Sequence, residues 1–552
     1  MRQRRYYLLS ALLTGLLLAL SWPFIGSATP LVFFAWVPLL LAEERYSTRT
    51  RQQRPRHFMP YVFLAMAIWN ALTTWWLYCV SESMGSKLFA VVGPNVGNDL
   101  LFCLPWLVMR WSRWFVPSRW VRLVLVVTWI AFERFHMNWD LSWPWLTLGN
   151  VFAQHPAWVQ WYEWTGHLGG SLWVWTANLA VLAVVKNPDG HVPGRRSLIA
   201  ALVILAPFIA SQVRYVTFKE TGTPVEVVVV QPDIDPYTEK FDEDPIVQLD
   251  HMLEQASAAL TDSTVLVVLP ETALQEQPRL NDSNGHMVFH GLWENDYEGS
   301  ESLRRIRTFL AQHHGLSLVS GMSSTRLYPA GYDMPVSASP IGKEGLGFDS
   351  YNAALLVRPD SSVEDYRKSK LVPGVELLPF EKYLGPLSAL SLDLGGTTGS
   401  LGTQEEREVL SVPGGLHFAP VICYESIYGD HVAAHVRNGA EFLVIMTNDA
   451  WWGDSPAYKQ HLAYGTLRAI ETRRSIARSA NTGISCFIDQ YGEIHDRTTW
   501  WTPDARRGTV LARKDITFFA AHGDLIGRGA QWGVLVILVG LAFGAVRRIL
   551  IR

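Results

Sequence analysis

Cysteine is scarce in this chain: four in 552 residues, at positions 79, 103, 423 and 486. That is too few for a disulfide scaffold. None of them sits in a zinc-ligand spacing, and the 16 histidines form no His-Glu-x-x-His, so neither a metal site nor a cofactor is expected. Charge is sparse too, at 18% of residues, and nearly balanced at a net −3. A global basic field is thereby excluded, and with it a nucleic-acid partner. What the chain has in quantity is apolar surface: 49% hydrophobic residues and 24 tryptophans.

Much of that apolar surface lies in runs long enough to cross a bilayer, which takes about 20 residues. Seven precede residue 216, at 6–24, 30–43, 59–81, 87–110, 121–137, 164–185 and 197–214, and an eighth covers 529–547. The second is short, and the fourth is interrupted by Gly93, Pro94 and Gly97. Loop charge tests the count independently. Arg2, Arg4 and Arg5 precede the first run. Arg45, Arg49, Arg51, Arg54 and Arg56 follow the second, Arg110, Arg113, Arg119 and Arg122 the fourth, and Lys186, Arg195 and Arg196 the sixth; Arg547, Arg548 and Arg552 close the chain. The alternate connections 82–86 and 138–163 hold no Lys or Arg. Positive loops favour the cytoplasmic side. Eight spans therefore put both termini in the cytoplasm and the domain between the seventh and eighth outside. The start also has the look of a signal peptide ending near Gly26-Ser27-Ala28, but Arg45–Arg56 calls for a hairpin partner, and a retained helix is preferred. Trp139, Trp143, Trp145, Trp158, Trp161 and Trp164 read as an interfacial belt, or as a wall steering lipid. Glu133 and Arg134, at the end of an apolar run, are expected to be paired, and Asn178 to bond between helices.

These runs divide the chain into 1–218 (seven helices), 219–522 (an extramembrane domain) and 523–552 (an eighth helix). In the middle part short β-branched runs alternate with helical stretches. Strands are expected at Val225–Gln231, Val265–Pro270, Leu316–Gly321, Ala353–Val357, Leu416–Cys423 and Phe442–Thr447, and helices at 245–260, 300–314, 427–438 and 459–473. The alternation predicts an α/β domain with buried strands. Segments 275–300, 325–350 and 382–410 lack periodicity and read as long surface loops, the last as a mobile arm admitting bulky substrates.

Three strand ends carry chemistry: Glu271 in Pro-Glu-Thr (270–272), Lys368 in Tyr-Arg-Lys-Ser-Lys-Leu-Val-Pro (366–373) and Cys423 in Ile-Cys-Tyr-Glu (422–425). Singly, each has a bland reading: a solvated carboxylate, a solvent-facing lysine, a small core residue. Together they resemble the Glu-Lys-Cys signature of the nitrilase (carbon–nitrogen hydrolase) superfamily. With the flanking helices, nearly the whole chain is similar to the apolipoprotein N-acyltransferase family of bacterial membrane enzymes. Val-Gln-Pro-Asp-Ile (230–234), Thr-Asn-Asp-Ala-Trp-Trp-Gly (447–453), Gln460-His461, Asn-Thr-Gly-Ile-Ser (481–485), Trp145–Gly149 and Glu163–Gly166 extend the match. Two departures stand out. Pro373-Gly374-Val375-Glu376 replaces a Phe-Gly-Glu, so Glu376 matches by position, and Phe241 stands where a Trp is expected.

The resemblance implies an αββα sandwich domain on a bundle of about eight helices, in the bacterial inner membrane with the catalytic domain periplasmic. It implies Cys423 as nucleophile, Glu271 as base, and Lys368 as the cation that lowers the thiol pKa and stabilises the oxyanion. Glu376 would support Lys368 or shuttle protons. Tyr424 and Glu425 would shape the pocket, Trp451 would line it, and His461 and Cys486 read as structural. The implied partners are a phospholipid acyl donor, phosphatidylethanolamine by the family, and a diacylglyceryl-modified apolipoprotein acceptor; a monomer is expected. Two rival readings remain: a membrane-tethered amidase using water as acceptor, and a transporter with an inactive outer domain. Against the second, no repeat is visible among the helices.

Overall fold

The structure, a computed structural model, describes residues 2–80, 84–186, 194–240, 242–276, 291–341, 345–380 and 400–550. The chain forms two compact units. One comprises Met1–Phe218, Ser455–Ala463 and His522–Arg552; the other comprises Lys219–Asp454 and Tyr464–Ala521.

The first unit is helical. Its main helices are Arg2–Ser21, Val37–Thr48, Met59–Thr73, Met84–Phe102, Leu104–Ser112, Val121–His136, His167–Val185, Gly194–Thr217 and Leu525–Leu550. Among the described residues four stretches are long and apolar enough to cross a membrane: Ala90–Ser112, His167–Val185, Gly194–Thr217 and Leu525–Gly544. Leu198, Leu202, Leu205, Ile209 and Val213 are all exposed on the third of these. A helix of that length with so apolar an outer face belongs in lipid, and the protein is membrane-associated. The weak second run becomes a 3-10 turn, Thr29–Phe33, followed by the helix Val37–Thr48. The connection 138–163 is built from 3-10 turns at Pro144–Leu146, Leu148–Phe152 and Pro156–Trp158.

The tryptophans of that connection divide between interior and surface. Trp164 is exposed. Trp145 is buried, donates from Nε1 to Gln460 Oε1 at 2.7 Å and stacks on His461. As expected, Asn178 bonds between elements: its Oδ1 accepts from the Trp36 N–H at 2.9 Å and its Nδ2 donates to Val32 O at 2.8 Å. Glu133 accepts from Trp129 Nε1 and the Leu148 N–H, both at 2.9 Å, and Arg134 pairs with Asp524 at 2.9 Å.

The second unit is α/β. Its strands are β1 (Thr223–Gln231), β2 (Thr264–Val268), β3 (Leu292–Trp293), β4 (Ser317–Tyr328), β5 (Ser339–Ile341), β6 (Leu346–Val357), β7 (Val363–Arg367), β8 (Leu410–Val412), β9 (Leu416–Ile422), β10 (Phe442–Thr447), β11 (Ile476–Ala480), β12 (Cys486–Ile488), β13 (Ile494–His495) and β14 (Asp504–Ala512). One sheet runs β14-β1-β2-β4-β6-β5, with β3 on β4 and β7 on β6; the other runs β13-β12-β11-β10-β9-β8. The centre of each sheet is parallel (β1-β2-β4 and β9-β10-β11). Such pairing requires crossovers, and the helices Pro245–Ala259, Glu301–Ala311, Gly429–Arg437 and Pro456–Thr472 fall between these strands.

The valine run of β1 explains the layering. Val225, Val227 and Val229 join Phe418, Phe442 and Val444 of the second sheet in one core. Val228 and Val230 point the other way and pack with Leu249, Met252 and Leu253 of the helix Pro245–Ala259. Period-two alternation with both faces buried yields an unbroken apolar strand. The expected loop at 325–350 is a correction: β4 reaches Tyr328 and β6 begins at Leu346, paired antiparallel from Leu318–Val357 to Tyr328–Gly347. Paired polar residues such as Arg326 and Asp349 give these strand ends no apolar alternation. The proposed arm at 382–410 and the loop at 275–300 lie largely outside the described residues.

Candidate active site

Glu271, Lys368 and Cys423 all follow the carboxyl ends of strands, β2, β7 and β9 respectively, where open α/β sheets present side chains free of the ladder. Cys423 opens a 3-10 turn, Cys423–Ile427, with φ +47°. A non-glycine residue in the left-handed region is strained, and at a strand-to-helix turn the strain lifts the side chain clear of the sheet. Glu271 stands on a second strained turn: Thr272 has φ +48°. This turn rides so close to β4 that a Cβ on Gly321 would fall 2.5 Å from the Glu271 Cα, and only glycine fits there.

The three side chains meet. Lys368 Nζ donates to Glu271 Oε1 at 3.0 Å and to Glu376 Oε1 at 2.8 Å, and its third N–H has no acceptor among the described residues. Glu271 also accepts from Asn352 Nδ2 at 2.8 Å and, through Oε2, from the Asn448 N–H at 3.0 Å. The Cys423 thiol bonds to the Glu271 carboxylate and to Thr447. All three are buried, with Cys423 7%, Glu271 6% and Lys368 1% exposed.

Electrostatics assigns the resting protons. Burial pushes the Cys423 thiol well up; the Glu271 carboxylate adds to this, and the Lys368 ammonium opposes it without prevailing. The resting nucleophile is a thiol and not a thiolate. Burial also raises Glu271, but Lys368 and the bonds from Asn352, Lys368 and Cys423 outweigh it and hold the carboxyl below its ordinary value. For Lys368, burial lowers the ammonium, and Glu271 and Glu376 together hold it well above the ordinary value. The state is an ionised carboxylate hydrogen-bonded to a neutral thiol, beside a cation: a base already aimed at its proton.

The supporting residues fall into different places. Glu376 accepts from Lys368 Nζ through Oε1, and its second oxygen accepts from the Val372 N–H at 2.9 Å. Glu425 is fully buried. It accepts from the N–H groups of Ile422 (2.9 Å) and Ser369 (2.7 Å) and from the Tyr366 hydroxyl (2.8 Å), tying the Cys423 turn to the Lys368 segment. Tyr424 is buried edge-on against Tyr428, and Trp451, half-buried, meets Tyr237 the same way. Cys486 is core, its thiol pushed up to about 12 by burial.

Sequence reasoning missed Asn352, which bridges Glu271 Oε1 and Glu376 Oε1 at 2.8 Å each. Its signal is a lone amide heading the apolar run Ala353–Val357. Also missed were Asn448 and the buried pair Asp449–Arg478 at 2.7 Å. The motifs matched only as strings now have a physical content. Asn481 binds the N–H and C=O of Ile234 at 3.1 and 2.6 Å and Asn448 Oδ1 at 3.2 Å. Gln231 accepts from the Ser485 N–H at 3.1 Å and the Thr498 hydroxyl at 2.6 Å.

A Glu, a Lys and a Cys brought together at the strand ends of a two-sheet α/β unit define a carbon–nitrogen hydrolase domain, and the carbon-nitrogen hydrolase family model matches residues 227–514. The model of the apolipoprotein N-acyltransferase N-terminal domain matches residues 14–180. An apolipoprotein N-acyltransferase of Chlorobaculum tepidum is 31% identical over 93% of this chain and 92% of its own, and one of Geobacter metallireducens 27% identical over 98% and 96%. Among solved structures an amidase from Nesterenkonia sp. is a remote neighbour, with TM-score 0.33 and 16% identity over 54% of this chain and 93% of that one. The chain belongs to the apolipoprotein N-acyltransferase family.

Proposed function

We propose that the protein transfers an acyl chain from a phospholipid to the α-amine of a lipid-modified N-terminal cysteine of an apolipoprotein, through a thioester on Cys423. The observation that carries this reading is the buried thiol–carboxylate–ammonium contact at Cys423, Glu271 and Lys368, in a member of this family. In the first half-reaction the Cys423 proton passes to Glu271 as Sγ attacks the ester carbonyl. The oxyanion gathers beside the spare N–H of Lys368. The C–O bond breaks, Glu271 returns its proton to the departing alkoxide, and a lysophospholipid leaves. In the second, the neutral α-amine attacks the thioester carbonyl, Glu271 takes its proton, the C–S bond breaks, and the proton restores the thiol. The two substrates use one site in turn, as ping-pong kinetics requires. Glu376 and Asn352 hold Lys368 and Glu271 in register, and Glu425 holds the Cys423 turn. Phosphatidylethanolamine is the proposed donor, by the family.

The proposed topology has eight spans in the bacterial inner membrane, seven in 1–218 and one in 523–552, with both termini cytoplasmic and 219–522 periplasmic. Its support within the helical unit is that Glu43 pairs with Arg110 (3.3 Å) and Arg113, and Glu44 with Arg122 (2.9 Å) and Lys186. The second, fourth and sixth loops, the positive ones, thus meet at one end of the unit.

The test is an adduct trap. Purified protein given phospholipid alone should accumulate a hydroxylamine-sensitive acyl group on Cys423, absent in Cys423→Ala, and a lipopeptide amine should discharge it. Steady turnover to free fatty acid without an adduct would favour the amidase reading and overturn this one.

A further inference from the structure

Lys240 has no part in the reaction above, yet it is buried beside its base. It sits between β1 and the helix Pro245–Ala259, 6% exposed. The Asp235 carbonyl accepts from its backbone N–H at 2.9 Å, and Gln248 Nε2 donates to its carbonyl at 3.4 Å. Its ammonium donates to Thr272 Oγ1 and makes no ion pair among the described residues. An ammonium buried without a counter-ion at contact is costly. The carboxylate its charge reaches is Glu271, and the two line the same small cavity with Thr272 and Asn481.

Thr272 is the residue after Glu271, and the one whose φ is +48°. A β-branched residue there is an outlier that persists only when its surroundings hold it. Two groups hold it: Gln275 Nε2 donates to the Thr272 carbonyl at 3.2 Å, and Lys240 grips the hydroxyl. The turn that aims Glu271 at Cys423 is thus fastened by a cation.

We propose that Lys240 is a positioning residue for Glu271: it fastens the strained Glu271–Thr272 turn through the Thr272 hydroxyl, and its buried charge favours the Glu271 carboxylate it shares a cavity with. The inference rests on the reading of Glu271 as the base. The charged and titratable groups around Glu271 are Lys368, with Glu376 beyond it, Cys423 and Lys240. Burial brings the Lys240 ammonium down to about 8, against the pull of Glu271, so Lys240 remains mostly charged at pH 7.

The experiment measures iodoacetamide alkylation of Cys423 against pH in the full-length protein, following the Cys423 peptide by mass spectrometry. This needs only the thiol and its base, not the acyl substrates. The acid limb reports ionisation of Glu271. Lys240→Met should move that limb to higher pH by about one unit, slowing alkylation roughly tenfold on the acid side of the limb. Lys240→Gln, which keeps a donor for Thr272 without the charge, should move it equally, and carries the test if the Met variant does not fold. Thr272→Val, which keeps the charge, should slow alkylation at every pH with the limb in place, and Lys240→Arg should keep the wild-type limb. An unmoved limb in Lys240→Gln, or the same profile in Lys240→Met and Thr272→Val, overturns the proposal. A wild-type protein that forms no acyl adduct with phospholipid would sink the acyltransferase reading while leaving these profiles standing.

Discussion

The largest fully buried side chains differ in kind between the two units. In the helical unit they are tryptophans, Trp36, Trp129 and Trp175 among them; in the α/β unit they are Arg468, Arg473, Arg474 and Arg478. Helices satisfy their own backbone, so what remains inside a helical bundle is volume, and large flat rings fill it. Trp36 stacks on Trp175 and meets Trp129 edge-on, both with centroids 4.8 Å apart. The α/β unit instead runs its strands into irregular turns whose carbonyls face inward. Each arginine carries five donors and turns some of them on those carbonyls. Arg473 reaches Gln490 O at 2.9 Å, and Arg474 reaches Ala440 O and Asp515 O, both at 2.8 Å. Arg468 binds Ile427 O, and Arg478 binds Ile484 O and Asp449. The lesson is that a site assembled from separate strand ends needs stiff loops, and buried guanidinium groups supply the stiffness.

The sharpest way to break this contrast is Arg478→Met. Asp449 accepts the Thr447 hydroxyl at 3.0 Å, and Thr447 bonds the Cys423 thiol, so the pair underlies the nucleophile. Removing one partner strands a buried charge, and the expected loss is about 3–5 kcal/mol, read from urea unfolding of the full chain in detergent. Arg478→Met with Asp449→Asn should recover more than half of it. If the single variant unfolds with the wild-type midpoint, the arginines are fillers like the tryptophans, and the contrast fails.

The same contrast governs what could be read from the sequence. The helical unit announces itself, because lipid allows long apolar runs and little else; the short second run, which contains Pro30, opens as a 3-10 turn at Thr29–Phe33. In the α/β unit β1 and β10 are legible because both their faces are buried. β11 is not: Ile-Ala-Arg-Ser-Ala places Arg478 and Ser479 inside, fully buried, and a charged residue in mid-strand reads as surface. Glu271, Lys368 and Cys423 were legible as a spaced set of residue types that chemistry needs together. Asn352, Asn448 and Lys240 were not, because an amide or a lysine next to a strand has an ordinary surface reading, and only the fold brings it against a carboxylate.

Glu425 sharpens the comparison next, being the carboxylate counterpart of the buried arginines. Burial would raise it; His431 and the N–H groups of Ile422 and Ser369 outweigh burial and bring it down to about 2 from an ordinary 4.5. Burial also holds His431 below its ordinary value. With a depressed folded pKa, the stabilisation is complete above about pH 4.5 and is lost as pH falls toward 2. It amounts to about 3 kcal/mol. The difference in unfolding free energy between wild type and Glu425→Gln should therefore hold steady above about pH 4.5 and shrink as pH falls below it toward 2. A difference that stays constant would mean the carboxylate is protonated in both states.

The smallest expected effect probes the tryptophans themselves. Among the described residues Trp36 Nε1 has no hydrogen-bond partner, whereas Trp145 Nε1 donates to Gln460 Oε1 at 2.7 Å. If the rings of the helical unit act by volume, Trp36→Phe loses only part of a ring and should cost about 1 kcal/mol. Trp145→Phe loses the same volume and also leaves the Gln460 oxygen without that donor, at a further cost of about 1 kcal/mol or more. Thermal unfolding of the two variants in one detergent compares them directly, and Trp145→Phe should melt lower. Equal shifts would mean that the Gln460 bond adds nothing and that volume alone matters at both positions. A larger shift for Trp36→Phe would locate the stability of the unit in the packed nest of rings around Trp36, and the division between a unit held by shape and a unit held by donors would be sharper still.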